Sequence, residues 1–210
     1  MRRFLRRRDI WNALNAGGIY RRGEPNFALL LSFWIGMVLI FPVGPARGQA
    51  AAEGGDSIMR LSSPAFANTE TIPDRFTCKG SDISPALAWE ALPEGTKSLV
   101  LIFDDPDAPM GTWVHWVAYS IPAERKGLPE DVPKNRDEIA GGGLQGTNSW
   151  GRIGYGGPCP PSGTHRYYFR LYALDARLAL KPGATKVQVT AAMKDHVLGE
   201  AELMGRYSRH

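Results

Sequence analysis

The chain lacks the short motifs that announce most catalytic sites. No Gly-Lys-Ser/Thr follows its glycine clusters, so it has no phosphate loop of the nucleotide-binding kind. No G-x-S-x-G elbow is present, which removes the usual serine hydrolase arrangement. Its two cysteines and four histidines follow no zinc-ligand spacing. There is no internal repeat and no low-complexity block. Positive charge is scarce where nucleic-acid binding would need it. The net charge of the 210 residues is +4, but Arg2, Arg3, Arg6, Arg7, Arg8, Arg21, Arg22 and Arg47 against Asp9 and Glu24 give residues 1–50 a charge of +6, which leaves −2 for the rest. A body without a basic stripe argues against nucleic acid as a partner. The composition, 43% hydrophobic and 22% charged, suits one globular domain or at most two small ones.

What is present divides the chain in two. Residues 27–41 form an uncharged apolar run with arginines before it. Pro42, Gly44 and Pro45 follow, then Gly48-Gln49-Ala50-Ala51-Ala52. Basic region, apolar region and small-residue site, in that order, describe a signal peptide cleaved after Ala50 or Ala52. The alternative is an uncleaved anchor over residues 27–43, near the lower limit of about 17 residues for a bilayer span. Either way residues 1–52 read as a leader and residues 53–210 as the body, placed in the periplasm or secreted. Membrane contact is then expected only through an uncleaved leader. Export makes Cys78 and Cys159 a candidate disulfide pair. Two free thiols, or a nucleophilic Cys159 near His165, are the other readings.

The body reads mainly as strands. Strands are expected at Ile58–Leu61, Ala86–Trp89, Leu99–Phe103, Thr112–Ser120 and His165–Leu174, from β-branched and aromatic enrichment and period-two alternation. Residues 66–76 suggest strand–turn–strand, and residues 123–139 a surface excursion with a helical turn. A helix is expected over Thr190–Leu198, with Thr190 as N-cap. Residues 141–164 form a Gly/Pro-rich loop whose length points to function. Strict alternation puts Trp113, His115, Val117 and Tyr119 on one face, and His165, Tyr167, Phe169 and Leu171 on another.

Between two of these strands lies Asp104-Asp105-Pro106-Asp107-Ala108-Pro109, a proline-stiffened stretch with three carboxylates. Two histidines can offer N–H donors to a phosphate or carboxylate, and an aspartate beside one of them favours its charged form. No lysine or arginine is expected to point into such a site. Asp105, His115 and His165 also allow two enzymatic alternatives, a metal centre or acid–base chemistry.

Five blocks together carry a resemblance: Ser84-Pro85-Ala86-Leu87-Ala88-Trp89, Asp105-Pro106-Asp107-Ala108-Pro109, His115-Trp116-Val117, Gly154-Tyr155-Gly156-Gly157-Pro158-Cys159-Pro160-Pro161 and His165-Arg166-Tyr167. In order and spacing they resemble the phosphatidylethanolamine-binding protein family, most closely its bacterial Raf kinase inhibitor-like branch, over residues 57–208. The resemblance implies an all-β fold with minor α. Two antiparallel sheets would form a Greek-key sandwich, with a short C-terminal helix. It implies a non-catalytic protein, without cofactor or metal, that binds a small anionic ligand or phospholipid head group. Asp105, Asp107, Pro109, His115, Pro161, His165 and Tyr167 would line the site. It also implies an alternative, an inhibitor or scaffold that contacts an envelope protein.

Overall fold

The computed structural model describes residues 58–209; the leader, with its signal-peptide and anchor readings, lies outside them. In chain order the strands are β1 (Arg60–Ser62), β2 (Leu87–Glu90), β3 (Ser98–Asp105), β4 (Trp113–Pro122), β5 (Gly127–Leu128), β6 (Leu144–Gln145), β7 (Thr164–Leu174) and β8 (Val197–Ser208). One helix, α1 (Lys186–Ala192), precedes β8, and a 3-10 turn spans Asp74–Phe76. All strand pairings are antiparallel. They make a three-stranded sheet in the order β1-β2-β5 and a five-stranded sheet in the order β6-β4-β3-β7-β8. The all-β reading with two antiparallel sheets holds.

The main core joins the two sheets. Leu61, Leu87, Trp89 and Leu128 of the small sheet share one cluster with Leu101, Phe103, Trp116, Phe169 and Leu203 of the large one. Phe103 and Phe169 stack at its centre, with ring centroids 3.8 Å apart. A second cluster covers the outer face of the large sheet, where Val100, Ile102, Val117 and Tyr119 meet Val189 and Met193. Apolar cover on both faces explains why β3 is buried along its whole length.

Four expectations need correction. The helix lies at Lys186–Ala192 and not at 190–198. Thr185 caps it, accepting from the Gln188 N–H while Gln188 reaches back to the Thr185 N–H. After this short helix residues 197–208 run on as β8, which turns Ala201, Leu203 and Tyr207 inward. Residues 66–76 hold the 3-10 turn and one isolated bridge, Thr71 to Arg206, instead of two strands. Residues 123–139 contain β5 and no helical turn.

The fourth correction concerns β4 and shapes the site. Phe103 faces Trp116 while the adjacent Asp104 faces Val114, so His115 is the extra residue of a β-bulge. A second irregularity follows opposite Val100, where Ser120 takes φ 51°. Strict alternation therefore fails. His115 packs on the inner side against Phe103 and Tyr167, whereas Val117 and Tyr119 join the outer cluster.

Candidate functional site

Three segments converge at one end of the sandwich. The end of β3 supplies Asp105, the bulge of β4 supplies His115, and the start of β7 supplies His165. The loop that follows β6 closes over them. It is held in shape by buried amides: Gln145 receives the Trp116 indole N–H at 2.8 Å and donates to the carbonyls of Pro133 and Arg136, both at 2.9 Å. Asn148 Nδ2 donates to the Gly154 carbonyl at 2.9 Å, and Tyr155 Oη to the Phe76 carbonyl at 2.6 Å. Cys78 and Cys159 form a disulfide that ties this loop to the segment after the 3-10 turn. Neither is a free nucleophile. Gly157 lies so close to that segment that a Cβ would sit 2.3 Å from the Phe76 carbonyl oxygen, and its N–H donates to Asp82 at 2.7 Å.

These elements enclose a cavity of about 520 Å3. Asp105, Pro109, His115, Pro161 and His165 line it, as does Pro160. His165 Nδ1 lies 2.7 Å from Asp105 Oδ2, and the Asp107 N–H donates to Asp105 Oδ1 at 2.8 Å. His115 Nδ1 donates to the Gly156 carbonyl at 2.7 Å. Asp105 is therefore the partner of His165. His115 does not take the charged form expected for a histidine next to an aspartate: burial outweighs the nearby Asp105 and Asp104 charges and lowers its pKa to about 4.

Two of the expected site residues stand elsewhere. Asp107 is not in the cavity wall. Arg166 grips it in a fork, Nε to Oδ2 at 2.9 Å and a terminal nitrogen to Oδ1 at 2.6 Å, and this holds its carboxyl down to about 2. Tyr167 lies beneath the cavity and is fully buried. Burial, then the nearby Asp105, raises its phenol above the usual range, but no hydrogen bond of acceptable geometry reaches its hydroxyl. The indole N–H of Trp113, a wall residue, is also enclosed without a partner.

The sequence reading missed other wall residues. Trp113 and Trp150 meet edge-to-face with centroids 5.4 Å apart, and Trp150 also meets the His115 ring at 5.0 Å. Contrary to the expectation of no inward cation, Lys134 and Arg152 line the cavity. Lys134 is neutralised by Asp82 at 2.6 Å, while Arg152 makes no ion pair with any described residue. The aromatic Trp150 inside a Gly/Pro-rich loop was the available signal for that wall. No group of three or more potential metal ligands is assembled among the described residues, so Asp105, His115 and His165 do not converge on one point.

The family profile described as "Phosphatidylethanolamine-binding protein" matches residues 62–208. The chain is 54% identical over 151 residues to a UPF0098 protein of Methanothermobacter thermautotrophicus, covering 72% of this chain and 99% of that one. It is 50% identical over 158 residues to a UPF0098 protein of Aquifex aeolicus, covering 74% and 91%. Among solved structures, a phosphatidylethanolamine-binding protein homolog of Chlamydia trachomatis superposes with a TM-score of 0.67 at 42% identity, covering 73% of this chain and 99% of that one. YbcL of E. coli, described as a new member of the mammalian PEBP family, gives 0.66 at 31% identity, covering 72% of this chain and 99% of that one. Members of this family are generally non-catalytic binding proteins, and the metal and acid–base alternatives find no support in it. The five sequence blocks, the two-sheet fold and these matches agree: the chain belongs to the phosphatidylethanolamine-binding protein family.

Proposed function

We propose that the protein is an exported, non-catalytic binding protein whose cavity takes a small anion, a phosphate or the phosphate of a lipid head group. One observation carries the reading. Trp113 N–H is enclosed at the cavity wall with no protein acceptor, and the Tyr167 O–H beneath it, beside Asp105, makes no hydrogen bond of good geometry. Buried donors are almost always satisfied, so such a pair argues for a ligand that brings acceptor oxygens. The His165–Asp105 pair adds a fixed ring nitrogen, and Arg152 adds a cation at the wall. Stiff Pro109, Pro160 and Pro161 keep the space open. Export is supported by the leader sequence, and the disulfide suits an oxidising compartment.

The test is a titration of the full-length protein with phosphate and with phosphoethanolamine, following the ring signals of both histidines by NMR. Both rings are expected to shift together on one binding curve, and His165→Ala is expected to abolish the response. A wild-type protein whose histidines ignore both ligands contradicts the proposal. Export is checked by the mass of the protein recovered outside the cytoplasm, which should correspond to a chain beginning at residue 51 or 53.

A further inference from the structure

Gly156 decides which ring nitrogen of His115 holds the proton. A carbonyl oxygen only accepts, so Nδ1, 2.7 Å away, must donate. The contact is braced from several sides. The Gly156 N–H returns a hydrogen bond to the His115 carbonyl at 2.9 Å, Gly157 is fastened to Asp82, and the disulfide closes the same loop. Burial keeps the ring neutral in the physiological range. A neutral imidazole protonated on Nδ1 carries a bare lone pair on Nε2. That nitrogen has no protein partner. It is also not among the enclosed unpartnered side-chain atoms of the described residues, which are Trp113 Nε1 and Tyr167 Oη. Since His115 lines the cavity, its lone pair is offered there.

Asp105 is another acceptor on this wall. Its Oδ1 already receives the Asp107 N–H and its Oδ2 the His165 ring. The cavity wall therefore presents a donor at Trp113 and an acceptor without a protein partner at His115. An oxyanion without a proton would set its own lone pairs against that acceptor. We infer that the pocket selects oxyanions that keep a proton, phosphate monoanion and phosphomonoesters, with His115 Nε2 accepting the ligand's O–H. The inference rests on the anion-site reading above and narrows it. It ranks phosphomonoesters above ligands of equal charge that have no O–H.

The experiment is competitive binding on the full-length protein at about pH 5.5, below the second pKa of a phosphomonoester, about 6, so that phosphomonoesters and inorganic phosphate are mainly monoanions. Three probes are used: phosphate, dimethyl phosphate, which has the same charge and no O–H, and sulfate. Phosphate is expected to bind at least about tenfold more tightly than either, the effect of one buried hydrogen bond left unmade. The 15N signal of His115 Nε2 is expected to be that of an unprotonated nitrogen, and to move on adding phosphate. Dimethyl phosphate or sulfate binding as well as phosphate overturns the inference while the anion site stands. Failure of all three to bind overturns both. His115→Phe keeps a ring but has no lone pair to offer, so the preference for phosphate over dimethyl phosphate should collapse toward one. A preference unchanged in that variant removes His115 from the role. If the variant does not fold, the wild-type preference and the Nε2 signal still decide.

Discussion

Asp104 and Asp105 are consecutive residues of β3, both shut away from solvent, and they face opposite sides of the large sheet. On the outer side Asp104 receives Arg170 at 2.6 Å and Lys186 from α1, and Arg170 goes on to pair with Glu202 at 3.0 Å. Every charge there is answered by protein. On the inner side Asp105 receives one ring N–H and one backbone N–H. Around it the Trp113 indole N–H has no protein partner, the Tyr167 hydroxyl makes no hydrogen bond of good geometry, and the His115 ring lines the same cavity. A buried carboxylate alone does not mark a site, because Asp104 is the more completely buried of the two. The unanswered neighbours mark it.

The contrast can be broken from either side, and the effects should differ in kind. The largest is expected from the disulfide that braces the inner wall. Replacing both Cys78 and Cys159 by Ser opens a cross-link with a sequence separation of 81. This should lower unfolding stability by about 4 kcal/mol in the chain-entropy account, measured by denaturant titration. On the outer side, Asp104→Asn strands Arg170 and Lys186. The expected cost is about 3 kcal/mol, at the low end for a broken buried pair because both cations reach water. Phosphate affinity of the folded protein should not change. An Asp104→Asn variant that kept its stability but lost phosphate would invert the assignment of the two carboxylates.

A pH series probes His115 itself. Its folded pKa of about 4 lies below the ordinary value of 6.5, so between these values the unfolded chain holds a proton that the folded one does not. Stability should therefore rise with pH across that window. As the pH is lowered from 6.5 toward 4, up to about 3 kcal/mol should be lost from this group. The loss is read as the difference in denaturant midpoint between wild type and His115→Gln, and parallel pH profiles would contradict it. The smallest stability effect is expected for Asp105→Asn. The amide keeps the shape, but its one oxygen can accept from His165 or from the Asp107 N–H and not from both, so the cost should be about 2 kcal/mol. Its consequence should appear in phosphate binding more than in unfolding.

How much of this was readable from sequence depended on local regularity. β7 is an unbroken strand, and its alternation put His165, Tyr167, Phe169 and Leu171 on one face, where they are found. β4 is also rich in aromatic and β-branched residues, but the bulge at His115 sends Val117 and Tyr119 to the outer face, and nothing in the residue types announces a bulge. The helix was displaced because Thr190-Ala191-Ala192 reads as a helix start, whereas the Thr185 and Gln188 pair sets the true one. Asp105, Pro109, His115, Pro161 and His165 were legible as a group only through the family pattern, since they come together from strands and loops up to 60 residues apart. Asp107 shares that motif, but its neighbour Arg166 claims it. Lys134 and Arg152 reach the cavity from loops whose course is fixed by Gln145, Asn148 and Tyr155, a tertiary effect beyond local pattern.

The most direct test of the central claim is the proton–nitrogen NMR signal of the Trp113 indole in the full-length protein during a phosphate titration. The indole N–H is enclosed at the cavity without an acceptor. The account predicts that it moves downfield and exchanges more slowly with solvent as phosphate saturates, because an anion oxygen supplies the missing acceptor. An indole signal that stays in place while phosphate binds, or a protein that binds no phosphate, would contradict it.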